Sequence, residues 1–262
     1  MGVQTPLSLQ EAQTLFPSFN INTLTPTTDG VMDTTYLTEM YVLKHYEREI
    51  NHKIKTDAKI LQTFSHHKLN TPQLLASENG WYLYTRLKGD VPKSISYFHI
   101  QALARFLAKM HLLSQKLNAK EVFLQEYNLK KTLTFTQRKY YFYYKKLQSL
   151  KYFQVKEDGF IHGDIFKDNT LFDGEKIAVF DFIDGGLGEF SFDIAVALVA
   201  FNPHKKTSFT KLFLNTYNQH APKKVTIKEL KKQVKMAAKL YSLLRIQNYK
   251  NPAKAKLLSN LW

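Results

Sequence analysis

The sequence predicts an α+β chain, with short strands and one helix in its N-terminal third and mainly helices beyond. Three observations predict it. Extended runs broken by turn signals fill the chain to about residue 87, helical spacing dominates from Tyr97 onward, and only the stretch "FIHGDIFKDNTLFDGEKIAVFDFID", Phe160 to Asp184, interrupts the helical part with two short apolar runs.

Taken in order, residues 19 to 46 read as extended structure. "TTDGV" marks a turn, and "YLTEMYVLKHYE" gives two strands around a tight reversal. "KTDAKILQTFSHHKL" then places Ile60, Leu61 and Phe64 at helical spacing, and "TPQLLASENGWYLYTRL" returns to strands around an Asn79-Gly80 hairpin turn. After "KGDVPKS" the helix "YFHIQALARFLAKMHLLSQKL" carries Ile100, Leu103, Leu107 and Met110 on one face. "LKKTLTFTQRKYYFYYKKLQSLK" reads as a helix with buried aromatics and solvated lysines. "PKKVTIKELKKQVKMAAKLYSLLRIQNYK" reads as an amphipathic helix with Ile227, Leu230, Val234, Ala238 and Tyr241 inward and a capping box at Thr226 and Glu229. The change of texture near Leu87 to Ser94 divides the chain into lobes of residues 1–86 and 87–262, meeting at a hinge.

Composition narrows the function classes. A chain of 262 residues with 44% apolar content builds an ordinary core. The lack of cysteine removes disulfides, thiolate metal sites and cysteine nucleophiles, and fits a reducing compartment. "MGVQTPLSLQ" lacks a basic region followed by an apolar run, and "IAVALVAF" is far too short to span a bilayer, so a cytoplasmic protein without a membrane partner is expected. The net charge of +15, from 37 basic and 22 acidic side chains, suits either a polyphosphate site or a nucleic-acid surface. A basic binding protein is therefore the competing class. Its mark would be oligonucleotide binding tighter than about 10⁻⁶ M near physiological salt. Specific nucleic-acid binding is not expected, because the stretch from Phe160 carries a full set of reactive groups.

In that stretch "FIHGD" and "TLFDGEKIAVFDF" read as short strands with Asp173-Gly174 as a turn, an arrangement that should return Asn169 and Asp181 towards Asp164. Phosphoryl transfer asks little covalent chemistry of a protein. It needs a carboxylate near the attacking hydroxyl and oxygen ligands for magnesium on the phosphates. Asp164, Asn169 and Asp181 supply that set. Any one of them alone would be an ordinary turn residue bonding its own backbone.

"HGDIFKDNTLF" resembles the catalytic-loop motif H-x-D-x-x-x-x-N of the aminoglycoside phosphotransferase and choline kinase superfamily, and "IAVFDFIDGGLGEFSFDIAVAL" resembles its metal-binding segment and D-x-A helix. "GVMDTTYL", "YVLKHYERE", "WYLYTRL" and "LARFLAKMHLLS" are similar in turn to its phosphate turn, lysine strand, inter-lobe strand and L-A-x-x-H helix, from about Leu15 to Tyr241. The resemblance implies a two-lobed, protein-kinase-like fold with a small antiparallel-sheet lobe and a mainly helical lobe. It implies ATP and Mg2+ as cofactors and a small-molecule alcohol as acceptor.

Carried over residue by residue, the resemblance makes Asp164 the catalytic base and Asn169 and Asp181 the magnesium ligands. Lys44 would hold the α and β phosphates, Gly30, Thr34 and Thr35 would belong to the turn over them, and Asp57 would be the helix carboxylate paired with Lys44. His162 and Asp193 would support the loop, His111 would pack beneath it, and Asp184 would face either a substrate amine or solvent. The absence of G-x-G-x-x-G, D-F-G and A-P-E argues against a protein kinase. Within the superfamily the loop most resembles the bacterial type II homoserine kinases, whose loops read H-x-D-L-F-x-D-N-x-x-F, with Asp33 standing where they carry asparagine. Homoserine is thus the leading acceptor. Polycationic aminoglycosides fit a lysine-rich C-terminal part poorly, and choline asks for an aromatic cage.

Overall fold

The computed structural model describes residues 3–28, 33–117, 123, 128–154, 156–202, 204–251 and 258. The chain divides into two compact units, Met1–Gly89 with Ala178–Ile183, and Asp90–Ile177 with Asp184–Trp262.

The first unit is built on a five-stranded antiparallel sheet in the order β1-β2-β3-β5-β4. Its strands are β1 (Thr25–Pro26), β2 (Thr34–Leu37), β3 (Tyr41–His45), β4 (Leu74–Glu78) and β5 (Trp81–Thr85). The reversal between β2 and β3 sits where the sequence puts it, with the Thr38 hydroxyl accepting from the Tyr41 N–H at 2.9 Å. Asn79 (φ 48°) and Gly80 (φ 82°) turn the β4–β5 hairpin through two left-handed residues, which is the demand of a two-residue turn that matches strand twist. Tyr36, Leu43, Trp81 and Leu83 meet Ala12, Phe16 and Ile21 in a core on one face of the sheet. Ala12 belongs to α1 (Leu9–Leu15), a helix absent from the sequence reading because it is too short to show a period. A capping box between Ser8 and Glu11 starts it. Helix α2 (Asn51–His66) buries Ile60, Leu61 and Phe64 as the spacing predicts. The returning segment is tied in by the Val179 N–H, which donates to the Asn70 carbonyl at 3.1 Å, and by Phe182, edge-on to Phe64 at 5.6 Å.

The second unit is mainly helical. Helices α3 (Tyr97–Ser114), α4 (Leu129–Lys139), α5 (Tyr141–Leu147), α6 (Phe190–Phe201), α7 (Thr207–Asn218) and α8 (Ile227–Tyr249) make up most of it. Strand β6 (Gly159–Ile161) pairs antiparallel with β9 (Gly186–Gly188), while β7 (Thr170–Asp173) and β8 (Lys176–Val179) form the hairpin expected around Gly174. Helix α6 is apolar nearly all round, so it runs through the core rather than over the surface.

Two details differ from the sequence reading. The lysine-aromatic stretch is not one helix with buried rings. It breaks at Tyr140 (φ −142°, ψ 56°), whose hydroxyl donates to the Lys250 carbonyl at 2.7 Å. Tyr141, Phe142 and Tyr152 lie exposed, with the ammonium groups of Lys145, Lys146 and Lys151 over their rings. On α8 Leu230, Ala238 and Tyr241 are buried as read, joined by Gln233, Ala237 and Leu240, while Val234 is half-buried and Ile227 is turned outward. The capping box at Thr226 and Glu229 forms as read, with the Glu229 N–H on the Thr226 hydroxyl and the Glu229 carboxylate accepting from the Thr226 N–H. Thr226→Ala is expected to lower stability by about 1 kcal/mol, read in urea unfolding; an unchanged midpoint would show that α8 is held by packing alone. No described helix is long and apolar enough to cross a membrane.

Candidate active site

In the first unit, β3 presents Lys44 opposite Thr35 of β2 and Tyr82 of β5. The ammonium stands 2.6 Å from Asp181 Oδ1 and 3.6 Å from Asp33 Oδ2, and 4.7 Å from the centre of the Tyr46 ring. Burial pushes the Lys44 pKa down, but the charges of Asp181 and Asp33 and the hydrogen bond to Asp181 outweigh it and hold it above the usual lysine range. Lys44 therefore stays cationic at neutral pH. Burial raises Asp33 above the usual carboxylate range, against the pull of Lys44 and of Arg48, whose Nε lies 3.8 Å away.

This geometry corrects the expected pairing with Asp57. The ion pairs of Lys44 run to Asp181 and Asp33, while Asp57 lies buried on α2, where its charge bears on the hydroxyl pair of Tyr46 and Tyr84, 3.1 Å apart. Asp33, noted in the sequence only as a departure from asparagine, takes the second place beside the lysine. Thr34 lies two places from Tyr36 on the same strand. It is buried, and its hydroxyl donates to Glu47 Oε1 at 2.6 Å and accepts from the Gln4 and Thr5 N–H groups, so the hydroxyl anchors the N-terminal segment. Thr35 is half-buried beside Lys44. Gly30 lies outside the described residues.

In the second unit, β6 leads into the loop of His162, Gly163 and Asp164, and a 3₁₀ turn at Lys167–Asn169 brings the chain back. Asn169 Nδ2 donates to both the backbone oxygen of Asp164 (2.8 Å) and its Oδ2 (3.0 Å). Because the nitrogen of the amide is committed there, its carbonyl oxygen is turned away from Asp164 as an acceptor. The loop hangs from Asp193 of α6, which is fully buried and accepts the His162 N–H at 3.1 Å and the Gly163 N–H at 2.8 Å. His111 of α3 stands 3.0 Å from the same carboxylate, reaches the Tyr217 hydroxyl at 2.8 Å with its other ring nitrogen, and stacks on Phe190 at 4.2 Å. His162 Nδ1 accepts the Asp164 N–H at 3.1 Å, so it shapes the backbone that carries Asp164.

Gly163 explains why the motif has no side chain there. Its φ is +75°, and a Cβ would overlap the ring of Phe123. The fold thus brings together Asp164 and Asn169 with His162, Asp193 and His111 in one unit, and Lys44 with Asp181 in the other. Sequence reasoning missed Asp33, Tyr217 and Tyr241, whose hydroxyl donates to the Gly163 carbonyl. Only a tertiary contact singles out these residues among the many aspartates and tyrosines.

One side chain in each unit has the chemistry of a metal ligand. Among the described residues no three His, Cys, Asp or Glu side chains cluster as a metal cage. Asn169 offers a carbonyl oxygen and Asp181 a carboxylate held in the left-handed region (φ 68°). Oxygen-only ligands in small number suit a hard cation that completes its shell with water and phosphate oxygens, as magnesium does.

Residues 23–224 match the model of the phosphotransferase enzyme family. Several solved structures share the fold. Aminoglycoside phosphotransferase APH(2'')-Ib in its ADP-bound form is 19% identical, with 97% of each chain covered and a TM-score of 0.64. An amicoumacin kinase in complex with AMP-PNP, Ca2+ and Ami is 16% identical over 96% of this chain and 92% of that one, at a TM-score of 0.71. Macrolide 2'-phosphotransferase type I is 15% identical over 97% and 98%, at 0.67. No curated protein matches the sequence.

Proposed function

The chain belongs to the phosphotransferase enzyme family, and from that premise we propose that it transfers the γ-phosphate of ATP to the hydroxyl of a small molecule, with the side-chain hydroxyl of homoserine as the acceptor. The observation that carries the reaction is the Asp164–Asn169 pair, joined at 3.0 Å on a loop pinned from beneath by Asp193. The acceptor rests on the likeness of "HGDIFKDNTLF" to the loops of type II homoserine kinases.

In this reading Asp164 orients the acceptor hydroxyl and takes its proton as the bond to phosphorus forms. Lys44, kept cationic by its two carboxylates, neutralises the α and β phosphates, and Thr35 lies beside it in the sheet. Asn169 and Asp181 would each offer an oxygen ligand to Mg2+, and the metal would neutralise charge that builds on the phosphates during transfer. Residues 1–86 would carry the nucleotide and residues 87–262 the catalytic loop and the acceptor. Asp181→Ala is expected to abolish magnesium-dependent nucleotide binding in a calorimetric titration; wild-type affinity with undiminished magnesium dependence would remove its metal role.

Other acceptors of the same chemistry come from the relatives, whose names speak of aminoglycosides, a macrolide and amicoumacin. The deciding experiment is magnesium-dependent ADP release from ATP with L-homoserine, choline, kanamycin, erythromycin, glucose or no acceptor. Strong stimulation by homoserine is the expected result. Stimulation by another alcohol keeps the reaction and replaces the acceptor.

A further inference from the structure

We infer that Arg245 is the group that selects the acceptor, and that the acceptor carries a carboxylate as well as its hydroxyl; this rests on the phosphotransfer reading and narrows it. Arg245 lies on α8 one turn beyond Tyr241, so both side chains project from one face of the helix. That face is laid against the loop of Asp164. The Tyr241 hydroxyl donates to the Gly163 carbonyl, the Tyr241 ring packs on Phe166 at 4.9 Å, and the Arg245 guanidinium stands 5.5 Å from the centre of the same Phe166 ring. Phe166 is bonded on both sides to the reacting residues, its N–H donating to the Asp164 carbonyl at 2.8 Å and its own carbonyl accepting the Asn169 N–H at 3.1 Å.

The state of the guanidinium sets Arg245 apart. Arg86 donates to the Thr38 carbonyl, Arg48 stands beside Asp33, and Arg105 and Arg138 are exposed to water. Arg245 is half-buried, and among the described residues it has neither a carboxylate partner nor a hydrogen-bond acceptor. Lys167, half-buried in the loop itself, has no carboxylate partner among the described residues either. A guanidinium always carries its charge and presents donors in a planar fork. A half-buried guanidinium gains from an acceptor that a ligand supplies, and the Phe166 ring 5.5 Å away covers one side of it. A carboxylate matches the fork in two parallel hydrogen bonds. A polycation brought to the same loop would meet uncompensated positive charge.

The test uses matched pairs of acceptors, L-homoserine with L-homoserinamide and 4-hydroxybutyrate with 4-hydroxybutyramide, together with kanamycin, in the wild type, Arg245→Gln, Arg245→Lys and Asp164→Asn. The wild type is expected to prefer each acid to its amide. Arg245→Gln is expected to lower kcat/KM on the acid by about 10- to 100-fold, mainly through KM, the loss typical of a charge-assisted hydrogen bond. The amide should be little affected and Arg245→Lys should recover part of the loss. Equal use of acid and amide by the wild type, an equal loss on both in Arg245→Gln, or turnover of kanamycin with no turnover of the acids would each overturn the inference and leave phosphotransfer intact. ADP release that no acceptor stimulates and that Asp164→Asn leaves unchanged would remove the phosphotransfer reading, and this inference with it.

Discussion

Asp164→Asn lowers acceptor-dependent ADP release by about 10³-fold, the middle of the range for removing a general base, while nucleotide affinity changes little. The substitution keeps the shape of the side chain and takes away its capacity to accept a proton. The loop should keep its form, because it hangs from Asp193 through the His162 and Gly163 N–H groups and not from the Asp164 carboxylate. The bond from Asn169 Nδ2 to Asp164 Oδ2 is disturbed, and the parallel bond to the Asp164 backbone oxygen at 2.8 Å remains to orient the amide. Nucleotide titration alongside turnover separates the possibilities. Lost turnover with retained affinity is the expected result. Unchanged turnover removes Asp164 from the chemistry, and a joint loss with a lowered unfolding midpoint means that the carboxylate was holding the loop together.

What could be read in the sequence follows the range of the forces involved. The Asn79-Gly80 turn, the Thr226–Glu229 cap and the face of α3 are set by residues within a turn or two of each other, and they form as read. The pairing of β6 with β9 was not legible, because each has only three residues, "GFI" and "GLG", and carries no alternation of its own. The break at Tyr140 was hidden because the aromatic and lysine residues on either side favour helix about equally, and what separates α4 from α5 includes a bond to Lys250, far along the chain. The site divides in the same way. Asp164, Asn169 and Asp181 stand out because they cluster with a turn and an apolar strand, and Asp193 through the likeness of its helix to the D-x-A segment. Asp33, Tyr217 and Arg245 owe their place to tertiary packing, and Asp57 shows the reverse, a helix aspartate that register alone assigned to Lys44.

Asp193→Ala is expected to be the most destabilising single substitution in the second unit, by about 3–5 kcal/mol, the cost typical of breaking a buried charged pair by removing one partner. The carboxylate is fully buried and is shared by the His162 N–H, the Gly163 N–H and the His111 ring. Its removal leaves two backbone donors and an imidazole without their acceptor inside the core. Burial is the strongest influence on its pKa and pushes it up, yet the His111 hydrogen bond and charge, His162 and the Gly163 N–H together hold it below the usual aspartate range. A carboxyl whose folded pKa is depressed binds its proton more readily when unfolded, so folding favours the ionised form. That contribution is complete above the unfolded value of about 3.9 and is lost as the pH falls through the lower folded value. Urea unfolding of the wild type should therefore shift to lower midpoints below about pH 4, and the gap between wild type and Asp193→Ala should narrow over the same range. A gap that stays constant down to acid pH would show that the carboxylate is held protonated in the folded protein, and that the loop of Asp164 is fixed by neutral hydrogen bonds.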